Sequence, residues 1–431
     1  MKRIILVLCV LMSTLMSAQQ VRYVGGDISL LPQYEQYNSY YKDAYGKKIE
    51  DPLKWFISAC GWNTFRVRIF VHPDGSDPSV CQDLAYVTAL GKRIKEEGAY
   101  FMLDFHYSDT WVDATHIQAP EAWKGSSDEV MADSIGTYTR MVLTALNDAG
   151  ATPDLVQVGN EIMYGLCGIK VAPYNNPSTN ANWPAYINLL KAGCKAVREV
   201  CPNAQIIIHT DRPNEVTNTK YYYSKLINNE VDFDIIGLSY YPFWHGYLTA
   251  AQNSTNLVKS IGSYISAYPT KRVQIVECAY NFQWWPSSGV KYDTQSIWPC
   301  SVEGQYNFVK DLVDALKPLE NVTGLSYWFP EEAGNGDKGT VIPSWLNRGF
   351  WKEEQSSSGH AINRTAAASS TKPAADVCAP YYMRNFLNED PQDVLVLNAQ
   401  NTPPCRKILQ CGVLLLTAPD GSLYALDGSR Q

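Results

Sequence analysis

The sequence predicts an α/β fold, a (β/α)8 TIM barrel carrying a short C-terminal β-hairpin-like extension. Three observations predict it. Eight short, β-rich apolar runs recur along the chain. Most are near-continuously hydrophobic, as parallel strands buried on both faces are. Helical patterns separate most of them, and eight such units over about 370 residues fit a barrel with long loops. A doubly wound sheet is the alternative, disfavoured because no Gly-rich phosphate turn follows the first run.

The elements follow in order. Lys2 and Arg3 precede an apolar run from Ile4 to Met16, and Ser17-Ala18 supplies small residues for cleavage. This reads as a secretory signal peptide over residues 1–18, too short to span a membrane. Cys9 lies inside the apolar run without the small residues a lipid-attachment cysteine needs. No later stretch approaches the ~20 apolar residues of a membrane span. An exported protein, periplasmic or extracellular, is expected to start near Gln19.

The predicted strands are Tyr23–Ile28, Thr64–Phe70, Tyr100–His106, Leu155–Gly159, Gln205–His209, Phe233–Ser239, Val273–Glu277 and Gly324–Trp328. Predicted helices cover Val80–Glu97, Asp128–Ala149, Ala185–Val200, Leu257–Tyr268 and Gly304–Leu316, several followed by Gly or Asn-Asp stop signals. Glu354–Ala375, rich in Ser, Ala and Thr, reads as a loop or a weak final helix, and Tyr381–Leu387 as an amphipathic segment that closes the barrel. The barrel is thus expected over 19–388. Residues 389–431 form a polar, Pro-containing linker and a small extension, with two β runs around a Pro419-Asp420-Gly421 turn. About 25 residues cannot bury an independent core.

The chain has 431 residues, 45% hydrophobic and 18% charged, with net charge −7. No basic stripe offers phosphates a partner, so nucleic acid is not an expected ligand. The 28 Tyr and 12 Trp suit sugar C–H faces, though aromatic side chains also fill cores. Leaving out Cys9, ten cysteines remain, widely spread; Cys194/Cys201 and Cys405/Cys411 are close in sequence but lack CxxC spacing, and no specific bridge is expected. A monomer is expected.

Chemistry in a parallel barrel gathers at the C-terminal strand ends. Here these carry Arg66 and Arg68; Asp104 and His106; Asn160 and Glu161; His209 and Asp211; Tyr240 through His245; Glu277; and Trp328. Singly, each has an ordinary reading as a partner for a nearby carbonyl or charge. On one rim they argue for a site. Glycosidic cleavage needs one carboxyl to protonate the leaving oxygen and another to attack the anomeric carbon or activate water. Glu161 on strand four and Glu277 on strand seven lie across the mouth and can flank one bond. Arg66 is placed to keep Glu277 ionised, Glu161 needs a raised pKa, and Asn160 is placed to bond a substrate hydroxyl.

Seven segments carry a family resemblance: VGGDISLLPQYE (24–35), FRVRIFVHPDG (65–75), MLDFHYSDTWVDATHIQAPEAW (102–123), VQVGNEI (156–162), FDIIGLSYYPFWHG (233–246), VQIVECAY (273–280) and GLSYWFP (324–330). The chain resembles the endo-β-1,4-galactanases of glycoside hydrolase family 53, in clan A of retaining barrel enzymes. The resemblance implies Glu161 as acid/base and Glu277 as nucleophile. It also implies substrate contacts from Asp109, Trp111, Asp211 and His245, with Trp328 as an aromatic platform. The strand-end positions, apart from the resemblance, add Arg66, His106, Asn160 and Tyr240 as candidate substrate contacts. Galactan, a curved polysaccharide, would be the partner, and no cofactor is implied. Some family members bind calcium in a long loop. With no acidic run at ligand spacing, no required metal is expected here.

Cys278, Phe329, His72 and the Met163–Cys167 segment depart from the family's usual residues. They remove no catalytic group and bear on subsite preference. Two other functions remain in view: another clan A endo-glycanase such as a β-mannanase, and a non-catalytic glycan-binding barrel.

Overall fold

The computed structural model describes residues 20–36, 40–252, 256–283, 290–333, 347–353, 359–365 and 378–387, together with three strands between 406 and 424. The signal segment, the linker, Cys9, Cys405, Cys411 and the Pro419-Asp420-Gly421 turn lie outside the described residues.

Eight parallel strands close into a barrel: β1 (Tyr23–Asp27), β2 (Thr64–Ile69), β3 (Tyr100–Phe105), β4 (Leu155–Val158), β5 (Gln205–Thr210), β6 (Ile235–Tyr240), β7 (Arg272–Cys278) and β8 (Val322–Trp328). β1 pairs with β8 on one side and with β2 on the other, which completes the ring. Every expected strand is present within two residues of its predicted ends. Parallel strands need crossovers, and helices supply them.

The outer helices are α1 (Pro52–Ser58), α2 (Leu84–Glu96), α3 (Asp128–Asp148), α4 (Trp183–Val200), α5 (Val216–Asn228), α6 (Leu257–Ala267), α7 (Val302–Leu316) and α8 (Ala379–Met383). Sequence reading missed α1, of seven residues, and α5. In α5 the segment VTNTKYYYSKLIN mixes β-branched residues with three tyrosines, and only Thr219, Tyr222, Tyr223 and Leu226 are buried. Helix α2 starts later than expected because Asp83 caps it, its side chain accepting the Tyr86 N–H. Gly98 and Gly150, at φ 76° each, end α2 and α3 in the left-handed conformation.

Inside the barrel, Tyr23, Met102, Leu155, Ile207, Ile235 and Val276 form a separate apolar cluster. A much larger cluster fills the space between strands and helices. Below β1, Arg22 donates to the carbonyls of Phe386 (3.0 Å) and Lys317 (2.8 Å), and Trp62 Nε1 to that of Pro380 (2.9 Å). These bonds fasten the α8 segment against the barrel, the closing role expected for Tyr381–Leu387.

Residues Gly359–Ile362 form a strand rather than part of a weak helix. It pairs with Tyr40–Lys42 and with Trp351–Glu353. The chain divides into two compact units, Met1–Leu387 and Asn388–Gln431. In the second, Arg406–Gln410, Val413–Thr417 and Leu423–Tyr424 make an antiparallel three-stranded sheet, one strand more than the two runs expected. Among the described residues, no helix is long and apolar enough to cross a membrane.

Candidate active site

At the C-terminal ends of the strands the barrel opens into a cavity of about 600 Å³. Arg66, His106, Trp111, Asn160, Glu161, Asp211, His245, Glu277 and Trp328 line it, so nine of the eleven residues singled out from sequence meet at one place.

Arg66 organises the floor. Its guanidinium reaches Asp27 (2.7 Å), Asp104 (2.8 Å), Glu277 (2.9 Å) and the Asn160 amide oxygen (2.8 Å). Burial opposes its charge, but Asp104, Glu277 and Asp27 outweigh that penalty and hold it protonated. His106 shares Asp104 at 3.2 Å through Nε2, while its Nδ1 accepts the Val112 N–H at 3.0 Å. The ring proton therefore sits on Nε2, and burial keeps the ring neutral.

Glu277 reaches the cavity through an irregularity in β7. Ile275 pairs with Leu238, yet Glu277 pairs with Ser239, so Val276 is an extra residue. Val276 joins the interior apolar cluster while its neighbour Glu277 faces the cavity. Regular alternation would not put both inside. A bulge re-aims the side chain.

Glu277 Oε1 meets Arg66, and Oε2 accepts the Tyr241 hydroxyl at 2.9 Å. Burial pushes its pKa up to about 7, against the pull of Arg66 and Tyr241. Arg66 is expected from sequence to keep this group ionised. Arg66 does oppose burial, but it divides its charge among three carboxylates. Glu161 is pushed well above the usual range by burial, Glu277 and Asp211, against the pull of the Ser239 hydroxyl (2.6 Å) and of nearby Arg212. Glu277 is ion-paired with Arg66, whereas Glu161 has no ion pair among the described residues, so Glu277 ionises first. That ordering separates a nucleophile from an acid.

Glu161 follows Gly159 (φ 91°), where a Cβ would lie 2.6 Å from the Ile162 side chain. Glu161 itself has φ 48°, in the left-handed region that a non-glycine residue enters at a cost. Tyr107 (φ 48°), after β3, and Phe329 (φ 63°), after β8, share this conformation.

Aromatic walls complete the cavity. Trp111 and Trp328 meet edge-on at 6.3 Å, and the Arg68 guanidinium lies 4.4 Å from the Trp111 ring centroid. Asp211 pairs with Arg212 at 2.8 Å, and its buried Oδ1 has no hydrogen-bond partner among the described residues. Burial raises the Asp211 pKa to about 6. His245 accepts the Tyr241 N–H at 3.0 Å, and burial with nearby Arg212 and Lys291 depresses its pKa to about 3.

Two expected site residues lie elsewhere. Tyr240 is fully buried, donates to the Gly246 carbonyl (2.9 Å) and stacks near Phe308 of α7. Side chains alternate along a strand; Ser239 and Tyr241 face inward, so Tyr240 faces the helices, and Tyr241 holds the place assigned to it. Asp109 accepts the Glu121 N–H at 2.7 Å and braces the loop after β3, outside the cavity lining. Asp113, Arg212, Tyr241, Trp244 and Lys291 line the cavity without having been assigned a site role from sequence. Tyr241 and Trp244 lay in a recognised segment, where strand parity was the missing signal. Cys278 is buried and donates to the Ser326 carbonyl (3.4 Å), away from the cavity.

The glycosyl hydrolase family 53 model matches residues 23–367. The "Probable arabinogalactan endo-beta-1,4-galactanase A" of Neosartorya fischeri is 31% identical over 353 residues, covering 79% of this chain and 92% of that protein. The "Endo-beta-1,4-galactanase" of Bacillus subtilis is 29% identical over 316 residues, covering 71% and 69%. Among solved structures, the Ignisphaera aggregans family 53 catalytic domain superposes with TM-score 0.69 at 25% identity, covering 85% of this chain and 95% of that one. Sequence match, barrel and paired glutamates agree: the chain belongs to glycosyl hydrolase family 53.

Proposed function

We propose that the protein is a retaining endo-β-1,4-galactanase that cuts β-1,4-galactan, including pectic arabinogalactan side chains, by double displacement. The observation that carries this is the pair Glu161 and Glu277 in one cavity, with only Glu277 paired to a cation. The galactan assignment rests on the names of the family relatives.

In the first step, a Glu277 oxygen attacks the anomeric carbon as Glu161 gives its proton to the departing glycosidic oxygen. The C–O bond breaks and a glycosyl ester forms on Glu277. Glu161, now an anion, takes a proton from water. The resulting hydroxide attacks the same carbon and releases Glu277, restoring the original anomeric configuration. Asn160 gives one amide N–H to the Val112 carbonyl (2.7 Å), leaving the other for a sugar hydroxyl. Trp111 and Trp328 offer apolar faces to the sugar rings.

The apolar N-terminal run after Lys2 and Arg3 supports export through a cleaved leader. The monomer is the simplest assembly, because all the named groups come from one chain.

Product analysis on linear β-1,4-galactan, with anomeric configuration followed by NMR, tests substrate, endo-action and retention together. Galacto-oligosaccharides released first as β-anomers are expected. Release from mannan but not galactan would favour a β-mannanase, and binding without release a glycan-binding barrel.

A further inference from the structure

One oxygen of Glu161 is held by groups that the two-carboxylate mechanism does not use. Gln157, His209 and Ser239, all fully buried, form a continuous hydrogen-bonded chain from Asp104 to this glutamate. The direction of each bond follows from its donors.

Asp104 is ionised: burial opposes its charge, but Arg66 and His106 outweigh that and lower its pKa. A carboxylate only accepts. Gln157 must therefore turn its Nε2 toward Asp104 Oδ1, at 2.6 Å. The same amide nitrogen lies 3.0 Å from His209 Nδ1, and the Glu161 main-chain N–H donates to that nitrogen at 3.3 Å. With two donors converging on it, Nδ1 is the acceptor and the ring proton sits on Nε2. Nε2 is 2.8 Å from Ser239 Oγ. Ser239 has one proton, and it points onward to Glu161 Oε1 at 2.6 Å.

We propose that His209 and Ser239 are positioning residues for the acid/base: they keep Glu161 Oε1 a permanent acceptor, confine the catalytic proton to Oε2, and hold the anion in place for the second step. This rests on the reading of Glu161 as acid/base. The opposite polarity would put the ring proton on Nδ1, facing Asn160 Oδ1 at 3.1 Å. It would leave Gln157 and the Glu161 main chain without that acceptor. Asn160 Oδ1 already has Arg66 Nη2 at 2.8 Å, which offsets its contact with an unprotonated Nδ1.

Ionisable groups face Glu161 from several elements: Glu277 on β7, Asp211 and Arg212 after β5, Asp113 after β3 and Tyr241 after β6. Among these neighbours Ser239 is the hydroxyl that donates to the carboxylate. Its loss should disfavour the anion and raise the pKa of Glu161.

Two measurements that need no substrate test this. The first is ¹⁵N NMR of histidine-labelled protein, with His209 assigned from the His209→Gln spectrum. It should show a neutral ring protonated at Nε2; protonation at Nδ1 would overturn the proposed direction. The second is ¹³C titration of Glu161 in a Glu277→Gln background, which removes the strongly interacting carboxyl. Adding Ser239→Ala should move the midpoint up by about one pH unit. Ser239→Cys, with a weaker donor, should give a smaller shift in the same direction. A folded Ser239→Ala protein with an unmoved midpoint would overturn the role of the hydroxyl. In the otherwise wild-type enzyme, Ser239→Ala should move the alkaline limb of the kcat/KM profile upward; a uniform loss at every pH would instead mark a structural role. Failure to cleave galactan leaves both NMR results intact.

Discussion

The barrel interior has two layers built from the same strands, and they obey opposite rules. The lower layer, Tyr23, Met102, Leu155, Ile207, Ile235 and Val276, is apolar. The upper layer contains Arg66, Asp27, Asp104 and Glu277, equally buried but charged. Apolar packing is non-directional and tolerates changes that nearly conserve volume. A buried charge cluster is directional, and removing one member leaves the others uncompensated. The lower layer holds the strands together. The upper layer makes some of that hold conditional on every partner being present.

Five substitutions would break or sharpen this contrast. The largest effect should come from the reacting carboxyls. Glu277→Gln should reduce kcat by on the order of 10⁴-fold or more, and Glu161→Gln by roughly 10²–10⁴-fold. The Glu161→Gln loss should be smaller on an aryl galactoside whose leaving group needs no proton. Steady-state kinetics on galactan and on the aryl substrate measures both, and full activity in either variant would remove that residue from the mechanism.

Next comes Arg66→Leu, which strands three carboxylates in a buried site. A loss of about 3–5 kcal/mol in denaturant unfolding is expected, together with loss of activity. A change below about 1 kcal/mol would mean that the cluster relaxes, and the contrast between layers would fail.

Tyr241→Phe is milder. It removes the hydroxyl that donates to Glu277 Oε2, and this bond favours the anion. The nucleophile's pKa should therefore rise, and activity needs it ionised. The limb of the kcat/KM profile that climbs with pH should move upward by about one unit. A downward shift would contradict the assigned role.

The smallest effect belongs to the lower layer. Ile207→Val should cost about 0.5–1.5 kcal/mol of stability and leave the pH profile unchanged. A changed profile would show that the two layers are coupled.

The lower layer and the ring of strands were legible in sequence because burial on both faces leaves an unbroken apolar run. Tyr100–Leu103 and Ile206–Ile208 are good examples. The catalytic pair was legible because glutamates are conspicuous at strand ends. What sequence could not show was parity. The extra residue at Val276 in β7 and the one-residue difference between Tyr240 and Tyr241 arise only when pairing registers are fixed. Asp109 looked like a ligand because an exposed loop carboxylate and one bonded to the Glu121 N–H read alike. Ser239 was missed because a serine within a strand carries no chemical signal until its hydroxyl has a partner. Helix α5 was hidden by tyrosines that pack and bond as core residues, Tyr222 to Tyr186 at 2.6 Å and Tyr223 to the Ile208 carbonyl at 2.9 Å.

The left-handed backbone at Tyr107, Glu161 and Phe329 has an evolutionary consequence. Each non-glycine residue held there forgoes roughly 1 kcal/mol or more of folding free energy, and all three follow C-terminal strand ends, with Glu161 in the cavity lining. Selection for thermal tolerance alone would favour relaxing these turns, and Glu161 is both strained and desolvated. At Glu161, heat resistance and turnover therefore draw on one residue. Variants that gain stability at this rim should be screened for hydrolysis before any gain is counted as improvement.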